Sequence, residues 1–145
     1  MRFQNEDTSL ELTVSAYEFP AGEAPDSDDE NWLVLRCAWT DGEGILRKDS
    51  NSCLLTQELQ ALAAGLKVLQ AGIKPGYESE FSEPWFAVSA QAAEAETFRF
   101  FVRFVLPNTM DGDDTAELDC ILTREELKVL IEELDGLCRR FPDRR

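Results

Sequence analysis

The chain contains no histidine, and this absence excludes more functions than any motif adds. Histidine is the commonest general acid or base and the commonest metal ligand near neutral pH. Its absence therefore counts against hydrolases, nucleases and zinc enzymes. The sequence also has no G-x-S-x-G nucleophile motif and no phosphate-binding glycine loop. We therefore predict a protein that is not an enzyme and that needs no cofactor and no metal.

Long apolar runs and paired cysteine motifs are also missing. No run approaches the roughly 20 apolar residues of a membrane span, and residues 1–7 do not resemble a signal peptide. The four cysteines show no C-x-x-C spacing, and no histidine is present to complete a zinc set. Each of them lies beside an apolar residue in the sequence. We therefore predict a cytoplasmic protein with reduced, mostly buried cysteines, namely Cys37, Cys53, Cys120 and Cys138.

Basic residues are scarce, since 14 Lys and Arg stand against 29 Asp and Glu and give a net charge of −15. This charge opposes direct binding to nucleic acid or to an anionic membrane, and it favours a basic protein partner. The acidic excess lies mainly in residues 1–43 and 77–122, which hold the predicted strands and their loops. Acids on loops around a sheet can form a coherent negative field.

The hydrophobic pattern alternates between the two periods that distinguish strands from helices. Residues 10–17, 98–106 and 116–122 alternate with period two, whereas leucines recur at helical spacing near 57–71 and 124–141. The resulting order is three strands, a helix, three strands and a helix. This order predicts a single α+β domain over residues 1–145, with a mainly antiparallel sheet of about six strands and two principal helices.

The two junctions between strand and helix have similar sequences, which are Cys53-Leu54-Leu55-Thr56-Gln57-Glu58 and Cys120-Ile121-Leu122-Thr123-Arg124-Glu125. One interpretation is a duplicated unit of three strands and a helix. The alternative is that two unrelated junctions use the same capping chemistry, in which a hydroxyl and a glutamate satisfy the first backbone N–H groups.

Two runs of acids occur at predicted turns, and they do not match a regular calcium site. An EF-hand loop that starts at Asp111 would need Gly at the sixth position and Glu at the twelfth, where the chain has Ala116 and Leu122. We expect these acids to face a partner instead. The predicted negative rim consists of Asp26, Asp28, Asp29, Glu30, Asp111, Asp113 and Asp114.

Trp85 follows Glu83-Pro84 and is the predicted aromatic anchor of the same interface, because tryptophan is enriched at interface hot spots. The alternative is that its ring only packs over an edge of the sheet.

Four short segments and the strand-rich stretch before the last helix form one pattern along the chain. The segments are Asn31-Trp32-Leu33-Val34-Leu35, Cys53-Leu54-Leu55-Thr56-Gln57-Glu58-Leu59, Phe81-Ser82-Glu83-Pro84-Trp85-Phe86 and Phe141-Pro142-Asp143-Arg144. They resemble the WapI family of bacterial immunity proteins, which protect a cell from contact-delivered toxins. The resemblance depends on their order and spacing. It departs at Asn51-Ser52, where the family often has Asp-Pro, and at Trp85, where it usually has a polar residue.

The resemblance implies a non-catalytic protein that binds a toxin domain and blocks it. The negative net charge is consistent with this function, because a nuclease toxin needs a basic substrate groove and an acidic protein that covers the groove complements it. A second hypothesis remains open from the residues alone. The same acidic surface could belong to a DNA mimic or a regulatory adaptor that occupies a basic site on a housekeeping protein.

Overall fold

Two four-stranded antiparallel sheets, each followed by a helix, make up the fold. The computed structural model describes residues 1–109 and 112–144, without the side chains of residues 112 and 113. The first half contains β1 (Arg2–Gln4), β2 (Ser9–Tyr17), β3 (Trp32–Thr40), β4 (Leu46–Leu55) and α1 (Thr56–Gln70). The second half contains β5 (Gly76–Glu78), β6 (Phe86–Ala92), β7 (Thr97–Thr109), β8 (Gly112–Thr123) and α2 (Arg124–Arg140).

The α+β class and the two helices agree with the sequence prediction, but the number of strands was wrong. The described residues form eight strands in two sheets rather than about six strands in one. Strands β1 and β5 have three residues each, which is too short to show a period of two. Strand β4 continues through the polar residues 49–52, because each of them pairs with a residue of β3; the register shifts only beyond them, near Cys53.

Both helices begin within one residue of their predicted starts. At α2, the predicted capping box is present: the Glu126 N–H donates to the Thr123 hydroxyl at 3.1 Å, and the Thr123 N–H donates to the Glu126 carboxylate at 2.9 Å. At α1, Leu55 stands at the capping position, so its N–H donates to Glu58 at 2.9 Å and Thr56 is already helical. The similar junction sequences are therefore offset by one residue in the structure, although the two halves share one element order.

One continuous core contains side chains from both sheets and both helices. The helices run antiparallel, because Thr56 at the start of α1 bonds to Asp143 beyond the end of α2, while Arg124 at the start of α2 donates to the carbonyl of Gln70. Alternate residues of β7 enter this core, as the sequence period predicted. The start of α1 and the end of α2 consequently meet at one end of the molecule.

Candidate functional site

An open groove of about 790 Å³ lies at this end, where β3 begins, β4 ends and α1 starts. We call it the acidic groove, because three carboxylates and one arginine line it. Trp32 and Leu55, which pair directly across β3 and β4, give it a half-buried apolar floor. The groove is lined by Ser27, Asp28, Asp29, Asn31, Trp32, Leu55, Gln57, Asp143 and Arg144.

The first wall is a short 3₁₀ turn, Asp28–Asn31, which follows the loop of residues 18–27, called the acidic loop. Asp26 stabilises its start, because one carboxylate oxygen accepts the N–H groups of Asp28 and Asp29 at 3.0 and 3.1 Å. Asp29 accepts the indole N–H of Trp32 at 3.1 Å and so fixes the ring that forms the floor. Asp28 is exposed to solvent. Three of the predicted rim residues therefore lie together at this turn.

Glu30 does not belong to the negative rim, which corrects the sequence prediction. Its side chain is only 8% exposed, and it lies 3.5 Å from the guanidinium of Arg144. It also accepts the N–H of Gly22 at 3.1 Å. A carboxylate that is removed from water needs such partners, so Glu30 connects the acidic loop to the C-terminal segment instead of facing a partner.

The second wall is the C-terminal segment after α2, and Arg144 holds it in place. The guanidinium donates to the carbonyls of Glu30 at 2.7 Å and Phe19 at 2.8 Å, and it stacks over the Tyr17 ring at 3.6 Å from the centroid. The Arg144 backbone N–H also donates to the side chain of Asn31 at 2.6 Å. The one cation of the groove is therefore bound internally.

Asp143 lies at the start of α1, where the helix dipole favours a negative charge. One oxygen of its carboxylate accepts the Thr56 hydroxyl and the Gln60 amide, the latter at 3.1 Å. Glu58 lies on the same turn and accepts the N–H of Ser82, which connects α1 to residues 81–85. Asp143 itself is exposed and lines the groove.

Trp85 is half-buried and packs against the core, with its indole N–H donating to Glu83 at 3.2 Å. Its carbonyl accepts the N–H of Val105 on β7 at 2.8 Å. The ring is therefore fixed at the border of the second sheet, outside the lining of the acidic groove. Whether it contacts a partner stays a prediction.

Asp114 lies at the opposite end of the first sheet from the acidic groove. The Arg47 guanidinium is 3.9 Å from Asp114 and is hydrogen-bonded to Asp41, whose pKa it lowers. Arg47 follows the tip of the β3–β4 hairpin, whereas Trp32 lies at the other end of β3. Strand β3 spans roughly 26 Å at about 3.3 Å per residue, so the two positions are far apart. The predicted rim is therefore split between two ends. Asp111 and the side chain of Asp113 lie outside the described residues.

Burial protects three of the four thiols. Three cysteines are buried and Cys138 is half-buried, and all four are free. Burial raises the pKa of Cys37 and Cys120 to about 11 and that of Cys53 to about 12, which keeps them protonated at neutral pH. Within residues 1–109 and 112–144, no three or more Cys, Asp and Glu side chains come together in a group that could hold a metal ion. Neither helix in that part of the chain is long and apolar enough to cross a membrane.

Sequence reasoning missed the groove residues Trp32, Asp143 and Arg144. They lie far apart in the chain, and only the fold brings them together. A signal was present, because Asn31-Trp32 and Phe141-Pro142-Asp143-Arg144 are among the segments that carry the family resemblance.

Comparison with known families decides which class of protein this is. The immunity protein WapI-like family matches residues 1–142. The chain belongs to this family. The match includes the acidic loop, the 3₁₀ turn and the start of α1, and it ends one residue before Asp143. No curated protein matches the chain.

Three plant proteins are among the solved structures that the chain resembles. WHY3 from Arabidopsis thaliana has a TM-score of 0.51 and 17% identity, over 97% of this chain and 86% of that one. The plant transcriptional regulator PBF-2 has a TM-score of 0.50 and 14% identity, over 95% and 86%. WHY1 from Arabidopsis thaliana has a TM-score of 0.49 and 16% identity, over 97% and 83%. At these identities the likeness to WHY3 and PBF-2 establishes the fold alone.

Proposed function

We propose that this WapI-like immunity protein neutralises a toxin domain by binding it and masking its substrate site, without catalysing a reaction. The toxin that fits best is a nuclease. A nuclease binds a polyanion through a basic groove, and a protein with a net charge of −15 competes for that groove. The observation that supports this proposal most strongly is the acidic groove, in which the carboxylates outnumber the cation.

The groove has the chemistry to receive a lysine or arginine side chain of the toxin. Trp32 and Leu55 offer an aromatic and an aliphatic surface for the stem of such a side chain. Asp28 is exposed, and Asp29 and Asp143 each have one carboxylate oxygen without a hydrogen bond among the described residues. Arg144 does not compete, because its guanidinium is held by Glu30, Phe19 and Tyr17.

The remaining predicted contacts fit around this groove as secondary sites. Asp26 lies on the loop that forms the first wall, and we propose that it adds to the steering field. Asp114, at the far end, contributes to long-range attraction rather than to the same contact. Trp85 remains the proposed apolar anchor, whose truncation would cost about 2 kcal/mol of binding free energy if it enters a pocket of the toxin.

A titration with matched charge variants tests the proposal. The toxin domain encoded next to this gene is co-purified with the chain, and its affinity is measured at low and high salt. We expect a one-to-one complex that abolishes toxicity and weakens as salt rises. Asp28→Lys should lower the affinity about tenfold, equal to about 1.4 kcal/mol. Glu132→Lys makes the same charge change on the exposed face of α2 and should have a much smaller effect.

Two other outcomes would redirect the proposal. Binding that neutralises the toxin but does not depend on salt or on Asp28 would keep the immunity role and remove the acidic groove from it. Absence of binding to the toxin, together with stable capture of a basic housekeeping protein, would favour the adaptor hypothesis instead.

A further inference from the structure

The outer face of the second sheet is an open surface that the proposed toxin site does not use. Residues of β7 and β8 that point away from the core form it, and Phe101 at its centre is 37% exposed. Ile121 on β8 is 53% exposed. A shallow hollow of about 560 Å³ extends from Phe101 across β6 to β5. None of the residues that line this hollow also lines the acidic groove.

Charges on this face are balanced, unlike those of the chain as a whole. Strand β7 presents Arg99 and Arg103, and β8 presents Glu117 and Asp119. Arg99 lies 3.3 Å from Asp119, and Arg103 lies 3.6 Å from Glu117. These four side chains remain 41–63% exposed, so each can still accept a second partner. The face therefore has a positive row beside a negative row.

Two such rows are complementary to themselves. A two-fold axis that runs parallel to the strands, between β7 and β8, places the β7 row of one copy over the β8 row of another. Arg103 and Glu117 are direct register partners, so Arg103 then lies over the partner subunit's Glu117, and the reverse pair forms by symmetry. The two Phe101 rings come to lie on either side of the axis. Face-to-face packing of two aligned sheets is a common arrangement.

We propose that this face, defined by Arg99, Phe101, Arg103, Glu117, Asp119 and Ile121, is the interface of a two-fold symmetric homodimer. The charge distribution selects a second copy as the occupant. A basic or an acidic partner would meet an equal number of repelling charges on these two strands, whereas a second copy places Arg103 over the partner's Glu117 and Glu117 over the partner's Arg103. Arg99 lies over the partner's Ile121, so this arrangement pairs opposite charges by register at Arg103 and Glu117. The acidic groove stays open on both copies.

The proposal predicts an unusual response to salt. Two chains with a net charge of −15 repel each other over long range, and salt screens this repulsion within a Debye length of about 8 Å at physiological ionic strength. Pairs between the rows are shielded by the opposing sheets and are screened less. Dimerisation should therefore strengthen from low to physiological salt, whereas the proposed toxin binding weakens. The two surfaces can thus be tested independently.

Sedimentation velocity on the intact chain without toxin tests the dimer over a wide range of concentrations. We expect a reversible monomer–dimer equilibrium at physiological salt, shifted toward monomer at low salt. Phe101→Ser should weaken it at least tenfold. Ile73→Ser, which changes a 72% exposed residue elsewhere, should leave it unchanged. A chain that stays monomeric at every concentration and salt, or a dimer that Phe101→Ser does not affect, would overturn the proposal.

A charge-swap experiment tests the arrangement of the rows. Arg103→Glu and Glu117→Arg each place like charges opposite one another in a homodimer, so each variant alone should be monomeric. An equal mixture restores opposite charges at both positions and should form a heterodimer. Circular dichroism and melting temperature verify that each variant is folded. Failure of the mixture to associate, with both variants folded and the parent chain dimeric, would refute this geometry.

Discussion

Replacing Arg144 with alanine removes the side chain that holds the acidic loop against the C-terminal segment. The Arg144 side chain is 18% exposed, and its guanidinium donates to two carbonyls at 2.7 and 2.8 Å while it lies 3.5 Å from Glu30. Its loss leaves Glu30, which is 8% exposed, with a buried negative charge and no cation. The stacking over Tyr17 is lost at the same time.

The expected destabilisation follows from these contacts. Removing one partner of a buried ion pair costs about 3–5 kcal/mol, because the remaining charge is uncompensated. Glu30 still accepts a hydrogen bond from the Gly22 N–H, and Arg144 is partly exposed, so we expect a cost at the lower end of this range. We therefore expect Arg144→Ala to reduce the free energy of unfolding by about 3 kcal/mol. For a domain of this size the melting temperature should fall by roughly 10 °C.

Urea unfolding followed by tryptophan fluorescence measures this change, with two companion variants as controls. Arg139→Ala removes an exposed arginine near the end of α2 and should cost less than about 0.5 kcal/mol. Adding Glu30→Gln to Arg144→Ala should recover about 1 kcal/mol, because the buried charge disappears. If Arg144→Ala unfolds within 1 kcal/mol of the parent chain, or if Glu30→Gln gives no recovery, the buried pair is not what holds the loop.

Three further predictions concern the two helices, the hairpin and the thiols. Gly65→Ala should destabilise the protein by about 1–3 kcal/mol in thermal unfolding, because an added Cβ would lie 2.3 Å from the Tyr77 ring. Gly136→Ala should be neutral or stabilising, because the nearest atom to its added Cβ lies at 3.8 Å. In a carboxyl NMR titration, the pKa of Asp41 should lie below its usual value, and Arg47→Gln should raise that pKa toward the usual value. The ionised Asp41 stabilises the fold above the ordinary pKa of an aspartate, and this stabilisation disappears as pH falls through the lowered pKa. Native protein at pH 8 should react with a thiol reagent mainly at half-buried Cys138, and denatured protein at all four cysteines; equal reactivity in the native state would contradict the burial of Cys37, Cys53 and Cys120.

Local features of the fold were predictable because they depend on neighbouring residues. The capping box at Thr123 and Glu126 involves residues three apart, and it set the start of α2 correctly. The alternation along β7 likewise predicted which of its side chains enter the core. Strands β1 and β5 were missed, since three residues contain too little pattern and their pairing depends on the neighbouring strands.

The sequence by itself determined the net charge of −15, the absence of histidine, and through its motifs the likeness to an immunity protein. Tertiary structure decided which acids can meet a partner. It buried Glu30 beside Arg144, separated in sequence by 114 residues, and it placed Asp143 next to the turn that contains Asp28. Burial and long-range pairing depend on the packing of distant segments. A run of acids therefore has the same sequence pattern whether its side chains line a groove or stabilise the fold.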